Sequence, residues 1–370
     1  MMSRIDQLIK ENCPDGVPYL KIADICQISR GRVISKDFIR DNPGSFPVYS
    51  SQTESNGVLG YISEYDYDGE YLTWTTDGAH AGTVFYRQGK FCVTNVCGLL
   101  KVTNSEVCTR FLFFVLSTIA KKFVNSGMGN PKLMSNVMAR ILIPIPSLSV
   151  QQEIVRILDS FTELEAELEA ELEARKKQYE YYRDNFLSFD KNDDKVKWIK
   201  LGEICEVLRG KRLTTRDLSN EEKYPVFHGG NIPIGYYHTY NRMANSTMVI
   251  NVGASAGTIG YSDIDFWSSD GCFCFSHNDC LVQKYLFYYL QSIEHTIKSK
   301  VRKAGIPTLD SKVLEQLLIP VLPIDRQQEI IRILSRFELI CNDLSVGLPA
   351  EIQARRKQYE YYRDKLLTFK

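Results

Sequence analysis

The spacing of apolar and polar residues predicts one long helix in the middle of the chain. Between Gln151 and Leu187 there is no Gly or Pro, and Ala, Glu, Leu, Lys and Arg dominate. A triple ELEA repeat, Glu163 to Ala174, also alternates like a strand, but Ala and Glu are poor strand formers and the flanks are helical. We therefore expect a continuous helix of about 55 Å at 1.5 Å per residue. Its apolar positions have the three- and four-residue spacing of a stripe that packs on a partner helix, and they are Ile157, Phe161, Leu164, Leu168, Tyr179, Tyr182 and Phe186.

A second helical pattern closes the chain. It begins with QQEIIRILSRF at Gln327 and resumes as AEIQARRKQYEYYRDKLL at Ala350. Gly347 and Pro349 interrupt the pattern, which predicts a break or kink there.

The sequence is an internal duplication, which decides the architecture. KQYEYYRD occurs from Lys177 and again from Lys357, and QQEIVRIL from Gln151 matches QQEIIRIL from Gln327. We expect an α+β protein with two duplicated mixed α/β modules, separated by long helices that pair as an antiparallel coiled coil with pseudo-two-fold symmetry. The predicted segments are a first module with a short N-terminal helix at 1–150, a central helix at 151–189, a second module at 190–326 and a distal helical region at 327–370.

A duplicated fold need not carry a duplicated function. The connecting helices are nearly identical between the copies, whereas the module interiors differ widely, as in SSQTESNG from Ser50 against GGNIPIGY from Gly229. This contrast favours one scaffold with two different reading surfaces.

The charge distribution adds to this picture. The chain has 45 basic and 45 acidic residues, yet the stretch Gln151 to Leu187 holds ten acidic and five basic ones, so positive charge is in excess elsewhere.

No apolar run is long enough to cross a bilayer and the N-terminus lacks a signal-peptide core, so we expect a cytoplasmic protein whose ten cysteines are reduced. A metal-like spacing of Cys272, Cys274, His277 and Cys280 lies in an alternating run typical of a half-buried strand and turn, and we expect no metal there.

Each module contains segments suited to nucleic acid. A basic loop, SRGRVISK from Ser29 or LRGKRLTTRD from Leu208, combines phosphate-neutralising charge with a Gly that lets backbones approach. A polar turn follows, at Tyr49 to Gly57 or Phe227 to Gly235, and then a glycine-bearing GAxAGT loop from Gly78 or Gly253. A basic stretch from Lys121 or Lys298 comes last and leads into Gly-x-Pro. Solvated surface charge and ordinary turn chemistry remain alternative explanations of these residues. The candidate DNA-binding residues are Arg30, Arg32, Lys36, Gln52, Asn56, His80, Lys121, Lys122, Lys132, Arg209, Lys211, Arg212, His228, Asn231, Ser255, Lys300, Arg302 and Lys303.

Both helical regions end in tyrosine-rich segments. Tyrosines at this spacing usually pack, but their number on nearly identical helices suggests two equivalent protein-binding sites. The candidate partner-binding residues are Tyr179, Tyr182, Phe186, Tyr359, Tyr362 and Leu366.

Catalytic motifs are missing from the sequence. The nearest approach to the Asn-Pro-Pro-aromatic tetrad of an amino-methyltransferase is Asn130-Pro131-Lys132, no Walker loop follows a strand, and five scattered histidines give no triad. Asp217, Glu221 and Lys223 are spaced too closely for a nuclease hairpin. We expect a protein without a catalytic centre.

The QQEI-RIL starts, the KQYEYYRD ends, the ELEA repeat and the module openings at Lys21 and Lys200 together resemble the specificity subunits of type I restriction-modification enzymes. The resemblance implies that each module is a target-recognition domain for one half of a bipartite double-stranded DNA target, and that the helices set the gap and dock two methyltransferase subunits. It also implies restriction subunits with motor and nuclease activity as further partners. S-adenosylmethionine would be held by the methyltransferase, and this chain would bind no cofactor. Two alternatives stay open: a coiled-coil scaffold with non-catalytic nucleic-acid-binding domains, and recognition of RNA, although the aromatics lie in strand-like runs that favour core packing.

Overall fold

The computed structural model describes residues 4–127, 129–190, 196–343 and 345–369. These residues form two compact units that do not follow chain order. Unit 1 combines Met1–Glu167 with Ile352–Lys370, and unit 2 is Leu168–Glu351. Each unit therefore consists of one module and helical segments from both halves of the duplication.

Unit 1 is built on a six-stranded sheet of order β2-β7-β5-β6-β3-β4, and a separate two-stranded sheet pairs β1 with β8. All of these pairings are antiparallel except that of β3 with β6. The strands are β1 (Tyr19–Lys21), β2 (Cys26–Arg30), β3 (Pro43–Tyr49), β4 (Val58–Ile62), β5 (Tyr67–Thr75), β6 (Val84–Val93), β7 (Cys97–Val102) and β8 (Leu142–Pro144). The helices are α1 (Arg4–Asn12), α2 (Ile22–Ile25), α3 (Lys36–Asp41), α4 (Thr109–Ile119), α5 (Ser135–Met138) and α6 (Leu148–Phe186), which continues into unit 2.

Unit 2 repeats this topology with one interruption. The strands are β9 (Lys197–Lys200), β10 (Val207–Arg209), β11 (Tyr224–Phe227), β12 (Gly235–Tyr237), β13 (Ser246–Ile250), β14 (Ile259–Ser262), β15 (Trp267–Ser268), β16 (Cys272–Phe275) and β17 (Leu318–Val321). Strands β14 and β15 occupy the place of the single strand β6, so the sheet divides into β10-β16-β13-β14 and β12-β11-β15, and β9 pairs with β17. The helices are α7 (Leu201–Ile204), α8 (Gln283–Ser292), α9 (Glu294–Ser299), α10 (Ser311–Glu315) and α11 (Ile324–Asn342), and the last helix, α12 (Leu348–Leu366), returns to unit 1. The predicted fold class is confirmed.

At one equivalent core position, the large and the small residue of a cross-strand pair lie on opposite strands in the two units. In unit 1, Trp74 is fully buried opposite Gly98, where a Cβ would lie 2.1 Å from the indole ring. In unit 2 the equivalent cross-strand pair is Val249 and Phe273. Interiors are packed at crystal-like density, so a large residue on one strand requires a small one opposite it.

The predicted central helix is confirmed as one continuous helix, α6. The predicted interruption of the second helical region is also present, because α11 ends at Asn342 and α12 begins at Leu348. At Gly347 a Cβ would lie 2.5 Å from the carbonyl oxygen of Leu339, so only Gly fits where the chain leaves α11.

The helices pair antiparallel within each unit. In unit 1, Phe161 of α6 stacks on Tyr362 of α12 at 5.5 Å between ring centroids, and Glu165 forms an ion pair with Arg356. In unit 2, Tyr182 of α6 stacks on Phe337 of α11 at 5.4 Å. The two stacked pairs are equivalent by the duplication, so the start of each helical region packs on the end of the other.

The repeated glutamine at the start of each helical region fastens the helix to its module. Gln151 and Gln327 are fully buried. The Gln151 amide donates to the carbonyl oxygens of Glu106 and Pro146 and accepts from the Cys108 amide. Gln327 makes the matching bonds with Cys280, Leu322 and Val282. The QQEI motif thus anchors each helix to its module, and each polar group of the buried amide is paired.

Candidate nucleic-acid interface

The basic loop of unit 1 lies against the segment that follows β6. The backbone N–H of Arg32 donates to the carbonyl oxygen of Val93 at 3.1 Å. A Cβ on Gly31 would lie 1.8 Å from the same oxygen, so only Gly permits this approach. The polar turn reaches the next residue, because the N–H of Thr94 donates to the carbonyl oxygen of Tyr49 at 2.9 Å. The basic loop and the polar turn therefore flank one short segment.

Unit 2 repeats this junction. The N–H of Lys211 donates to the carbonyl oxygen of Ser268 at 2.9 Å, and a Cβ on Gly210 would lie 2.0 Å from the oxygen of Ser269. The N–H of Ser269 donates to the oxygen of Phe227 at 3.0 Å. The same contacts join the basic loop and the polar turn in both modules.

The glycine-bearing loop and the Gly-x-Pro segment of unit 1 are joined directly by backbone hydrogen bonds. The Gly78 N–H donates to the Pro131 oxygen at 3.0 Å, and the Leu133 N–H donates to the Thr76 oxygen at 2.9 Å. The Thr76 N–H in turn donates to the carbonyl oxygen of Val96 at 3.3 Å. Val96 follows Thr94, the residue that the polar turn contacts. All four predicted segments of the first module are thus linked through backbone hydrogen bonds.

The second module has the same links. The Gly253 N–H donates to the Pro307 oxygen at 2.9 Å, the Leu309 N–H to the Asn251 oxygen at 2.8 Å, and the Asn251 N–H to the Gly271 oxygen at 3.0 Å. Backbone bonds specify position but not side-chain identity. The arrangement consequently holds four loops together while leaving their side chains free to differ.

Arg32 is already engaged by two carboxylates. It forms ion pairs with Glu64 and, at 2.9 Å, with Asp66. The hydrogen bond to Asp66 raises the pKa of the guanidinium above its ordinary value, and Glu64 adds to this effect. These carboxylates neutralise Arg32 and reduce its attraction for phosphate.

The remaining unit 1 candidates are mostly exposed. The amide of Gln52 donates to the carbonyl oxygen of Val58, the first residue of β4, and the Nζ of Lys132 lies 3.7 Å from Oδ1 of Asp77. The Nε of Arg30 donates to Oγ of Ser135 at 3.4 Å. The exposed candidates are Arg30, Arg32, Lys36, Asn56, His80, Lys121, Lys122 and Lys132.

The unit 2 candidates follow the same distribution. The Nδ1 of His228 lies 3.3 Å from Oδ1 of Asp270, and Nδ2 of Asn231 donates to the carbonyl oxygen of Ile259 at 2.9 Å. Ser255 is half-buried in the glycine-bearing loop. The exposed basic candidates are Arg209, Lys211, Arg212, Lys300, Arg302 and Lys303.

Two residues outside the predicted set shape the unit 2 basic loop. The indole N–H of Trp267 donates to the carbonyl oxygen of Lys211 at 2.7 Å, and Nη2 of Arg242 donates to that of Arg209 at 3.0 Å. Both donors are more than 30 residues away along the chain. No local spacing connects them with the loop, so the sequence offered no signal for their role.

The predicted partner-binding residues contribute to packing inside the units. Tyr182 stacks on Phe186 and Phe337, and the hydroxyl of Tyr179 donates to Gln291 at 2.9 Å. Burial raises the pKa of Tyr179, because it disfavours the phenolate. Their docking role stays a prediction.

The distal helix has the same pattern. Tyr359 and Tyr362 contact Phe161, and Leu366 is buried in the unit 1 core. The aromatic side chains that remain most exposed on the two helix ends are Tyr181 and Tyr361, at 63% and 62%.

The metal-like spacing forms part of the unit 2 interior. Cys272 and Cys274 lie in a strand that is buried on both faces, and not half-buried as expected, and His277 contacts the hydroxyl of Ser246 at 3.0 Å. Burial raises the pKa of the Cys272 thiol to about 12. In the part of the chain that the structure describes, no group of three His, Cys, Asp or Glu side chains is arranged to hold a metal ion.

None of the helices within the described residues is both long enough and apolar enough to span a membrane. The fold and the interface define a protein with two loop-based recognition domains attached to paired helices.

Comparison with known proteins identifies the family. The model of the type I restriction modification DNA specificity domain matches residues 14–174 and again residues 193–354. A putative type I specificity subunit of Mycoplasma pneumoniae is 35% identical over 359 residues, which cover 94% of this chain and 97% of the relative. The specificity subunit of the type I restriction enzyme MpnII, from the same organism, is 50% identical over 178 residues, covering 46% of this chain and 53% of the relative.

Two solved structures have the same fold. The S subunit of a type I restriction-modification system from M. genitalium superposes with a TM-score of 0.68 at 18% identity, covering 95% of this chain and 96% of the other. The HsdS subunit of Thermoanaerobacter tengcongensis superposes with a TM-score of 0.51 at 16% identity, covering 96% and 97%. This chain belongs to the type I restriction-modification specificity subunits, and it contains two target-recognition domains.

Proposed function

We propose that each unit reads one half of a bipartite double-stranded DNA target, and that the chain supplies sequence recognition without a catalytic centre of its own. The observation that carries this proposal is the repeated loop junction. The same four segments are joined by the same backbone bonds in both units, whereas their side chains differ. A common frame with different side chains is suited to reading two different short sequences.

The distribution of charge supports this interface. Exposed basic side chains border the junction in both units, although the whole chain has no net charge. Arg and Lys at such positions neutralise phosphates and fix the register of the loops on the duplex. The acidic central helix lies outside the loop segments, so the positive charge is concentrated where DNA would bind.

The helices would set the gap and dock the partners. Helix α6 extends without interruption from Leu148 to Phe186 and contributes to both units. The two KQYEYYRD ends are identical, and the most exposed tyrosine of each is Tyr181 or Tyr361. We assign them to two methyltransferase subunits, to which restriction subunits with motor and nuclease activity add. The methyltransferase subunits would hold S-adenosylmethionine and the target adenine, so this chain would bind no cofactor.

Methylation mapping tests the proposal. The chain is co-expressed with its methyltransferase subunit in a host without adenine methylation at the same sites, and methylated adenines are located across the genome. We expect a split motif with two specified halves and a constant gap. Exchanging the loop segments of unit 1 for those of another specificity subunit should change one half and leave the other as it was. A continuous motif, or a motif with both halves unchanged after the exchange, would contradict the proposal.

The scaffold alternative predicts a different binding result. Complexes of the chain with its methyltransferase are titrated with duplexes that carry either the mapped motif or a scrambled one, at several salt concentrations. A reader binds the motif much more tightly, by a factor on the order of a thousand or more. Equal affinity for both duplexes would favour a scaffold with non-specific nucleic-acid binding.

A further inference from the structure

Arg87 of unit 1 is buried without satisfying its hydrogen-bonding groups. It lies on β6 with 2% of its surface exposed. Its Nε donates to Oγ1 of Thr73 at 3.1 Å, but Nη1 and Nη2 have no hydrogen-bond partner in the described structure. The guanidinium carbon lies 3.6 Å from the ring centroid of Tyr49 and 4.4 Å from that of Phe85. Buried polar groups are nearly always paired, so two unpaired nitrogens require an explanation.

Among the described residues, no carboxylate forms an ion pair with Arg87. Burial lowers the pKa of the guanidinium to about 10, and the interactions that oppose this shift come from Tyr49 and Cys97. With this pKa the guanidinium is still protonated at pH 7. A positive charge thus remains inside the first recognition domain, where an anion would stabilise it.

The polar turn, residues 50–57, covers this guanidinium. Its amide side chains are candidates for base reading. A Cβ on Gly57 would lie 3.0 Å from Nη2 of Arg87. Three successive residues of this turn have left-handed backbone angles: Ser55 at φ 48°, Asn56 at φ 54° and Gly57 at φ 77°. The turn is closed by a bond from the Ser50 N–H to the Gly57 oxygen at 2.9 Å. Left-handed angles are unfavourable for Ser, so the closed turn is strained.

The second module has no counterpart of this charge. The duplication aligns GTVFYR from Gly82 with GTIGYS from Gly257, which places Ser262 at the position of Arg87. Ser262 is also buried, but its hydroxyl donates to the carbonyl oxygen of Ile264 at 2.7 Å. The position equivalent to Arg87 is therefore occupied by a neutral, hydrogen-bonded side chain in the second module.

We propose that Arg87 is a DNA-contacting residue: the turn of residues 50–57 lifts when DNA binds, and a backbone phosphate takes the free Nη1 and Nη2 donors. This inference rests on the proposed function. A phosphate fits because its oxygens accept two parallel bonds from a guanidinium and its charge balances the cation. A base edge could accept the bonds, but it would leave the charge uncompensated. The contact would stabilise the complex without specifying a base.

The test compares Arg87→Met with wild type, in the full chain bound to its methyltransferase, on a duplex with the mapped motif. We expect affinity to fall about tenfold, and the slope of log affinity against log salt to decrease in magnitude by about 0.9, the value of one phosphate contact. The unfolding temperature should stay equal or rise, because the variant removes a buried unpaired charge. Ser262→Ala is the matched control and should leave the salt slope as in wild type. An unchanged slope in a folded Arg87→Met would overturn the proposal.

A second measurement does not depend on the variant. In wild-type complexes, hydrogen exchange of the Ser50 amide should become faster when DNA binds, because lifting the turn breaks its bond to Gly57. Slower or equal exchange would contradict the opening of the turn. If the wild-type complex yields no split motif, the proposed function itself fails. If the motif is present and the slope is unaffected, only the role of Arg87 fails.

Discussion

Arg110 joins the first recognition domain to its helix, and removing it should loosen unit 1. Arg110 lies on α4, and its Nε and Nη2 donate to Oδ1 of Asp159 on α6 at 2.9 and 2.7 Å. The guanidinium carbon lies 4.9 Å from the ring centroid of Tyr86 and 5.0 Å from those of Phe113 and Phe114. One cation is therefore held by a carboxylate and three aromatic rings.

The solvent exposure of Arg110 and Asp159 determines how much stability the ion pair contributes. The side chains of Arg110 and Asp159 are 28% and 30% exposed. Exposed ion pairs contribute about 0–1 kcal/mol, whereas removing one partner of a fully buried pair costs about 3–5 kcal/mol. For this intermediate position we expect Arg110→Met to destabilise unit 1 by about 2 kcal/mol. In a double-mutant cycle with Asp159→Asn, we expect a coupling free energy of about 1–1.5 kcal/mol.

Hydrogen exchange measured by mass spectrometry suits this cycle, because a chain with two compact units need not unfold in one transition. Opening free energies are compared for unit 1 peptides, with unit 2 peptides as the internal reference. Lys284→Met is the matched control, since Lys284 occupies the same place in unit 2 and pairs with Glu338 at 2.9 Å. It should destabilise unit 2 and spare unit 1. Additivity of Arg110→Met and Asp159→Asn to within about 0.3 kcal/mol would refute the coupling.

Three further predictions concern the spacer, the loops and the thiols. Deleting one ELEA unit from 163–174 removes about 6 Å and about 40° of helical rotation. This length lies between the ~3.4 Å of one base pair and the ~6.8 Å of two, and the rotation is close to the ~34° of one base pair. The methylated motif should therefore lose one or two base pairs of its gap, and an unchanged gap would contradict this. Gly31→Ala and Gly210→Ala should each weaken recognition of one half of the target by about tenfold or more, since each Cβ collides with a backbone carbonyl; methylation of targets with single-half mismatches would report which half, and equal loss at both halves would argue against separate reading. At pH 8 iodoacetamide should label exposed Cys280 before Cys272, whose pKa of about 12 leaves about one thiol in ten thousand ionised; equal labelling in a mass-spectrometric time course would show that unit 2 opens readily.

Sequence patterns were most informative where structure is local or repeated. The extent of α6 follows from helix propensity and the lack of breakers, and the break before α12 follows from Gly347 and Pro349. The duplication predicted two modules of one topology. It could not predict that the strand equivalent to β6 is divided in unit 2, because strand continuity depends on pairing with distant neighbours.

Side-chain roles were harder to predict than elements. Arg32 has the charge and the loop position expected of a phosphate ligand. Its carboxylate partners, Glu64 and Asp66, come from a loop more than 30 residues away, so local sequence did not reveal them. The helical tyrosines show the same limit. Their spacing indicates a packed face, but periodicity does not tell whether the partner belongs to the same chain or to another protein, and Tyr182 packs on Phe337 of its own chain.

The way the helices pair explains why the two copies diverge in one region and stay alike in another. The start of each helical region packs on the end of the other, through Phe161 with Tyr362 and Phe337 with Tyr182. The two KQYEYYRD ends therefore pack on nearly identical helix starts, QQEIVRIL and QQEIIRIL. A substitution that is compatible with one helix pair is compatible with the other only while the two copies stay alike. The recognition loops are joined through backbone groups within their own unit, so their side chains have no such constraint. Recognition can consequently change in one half of the molecule while the helix pairs keep their contacts.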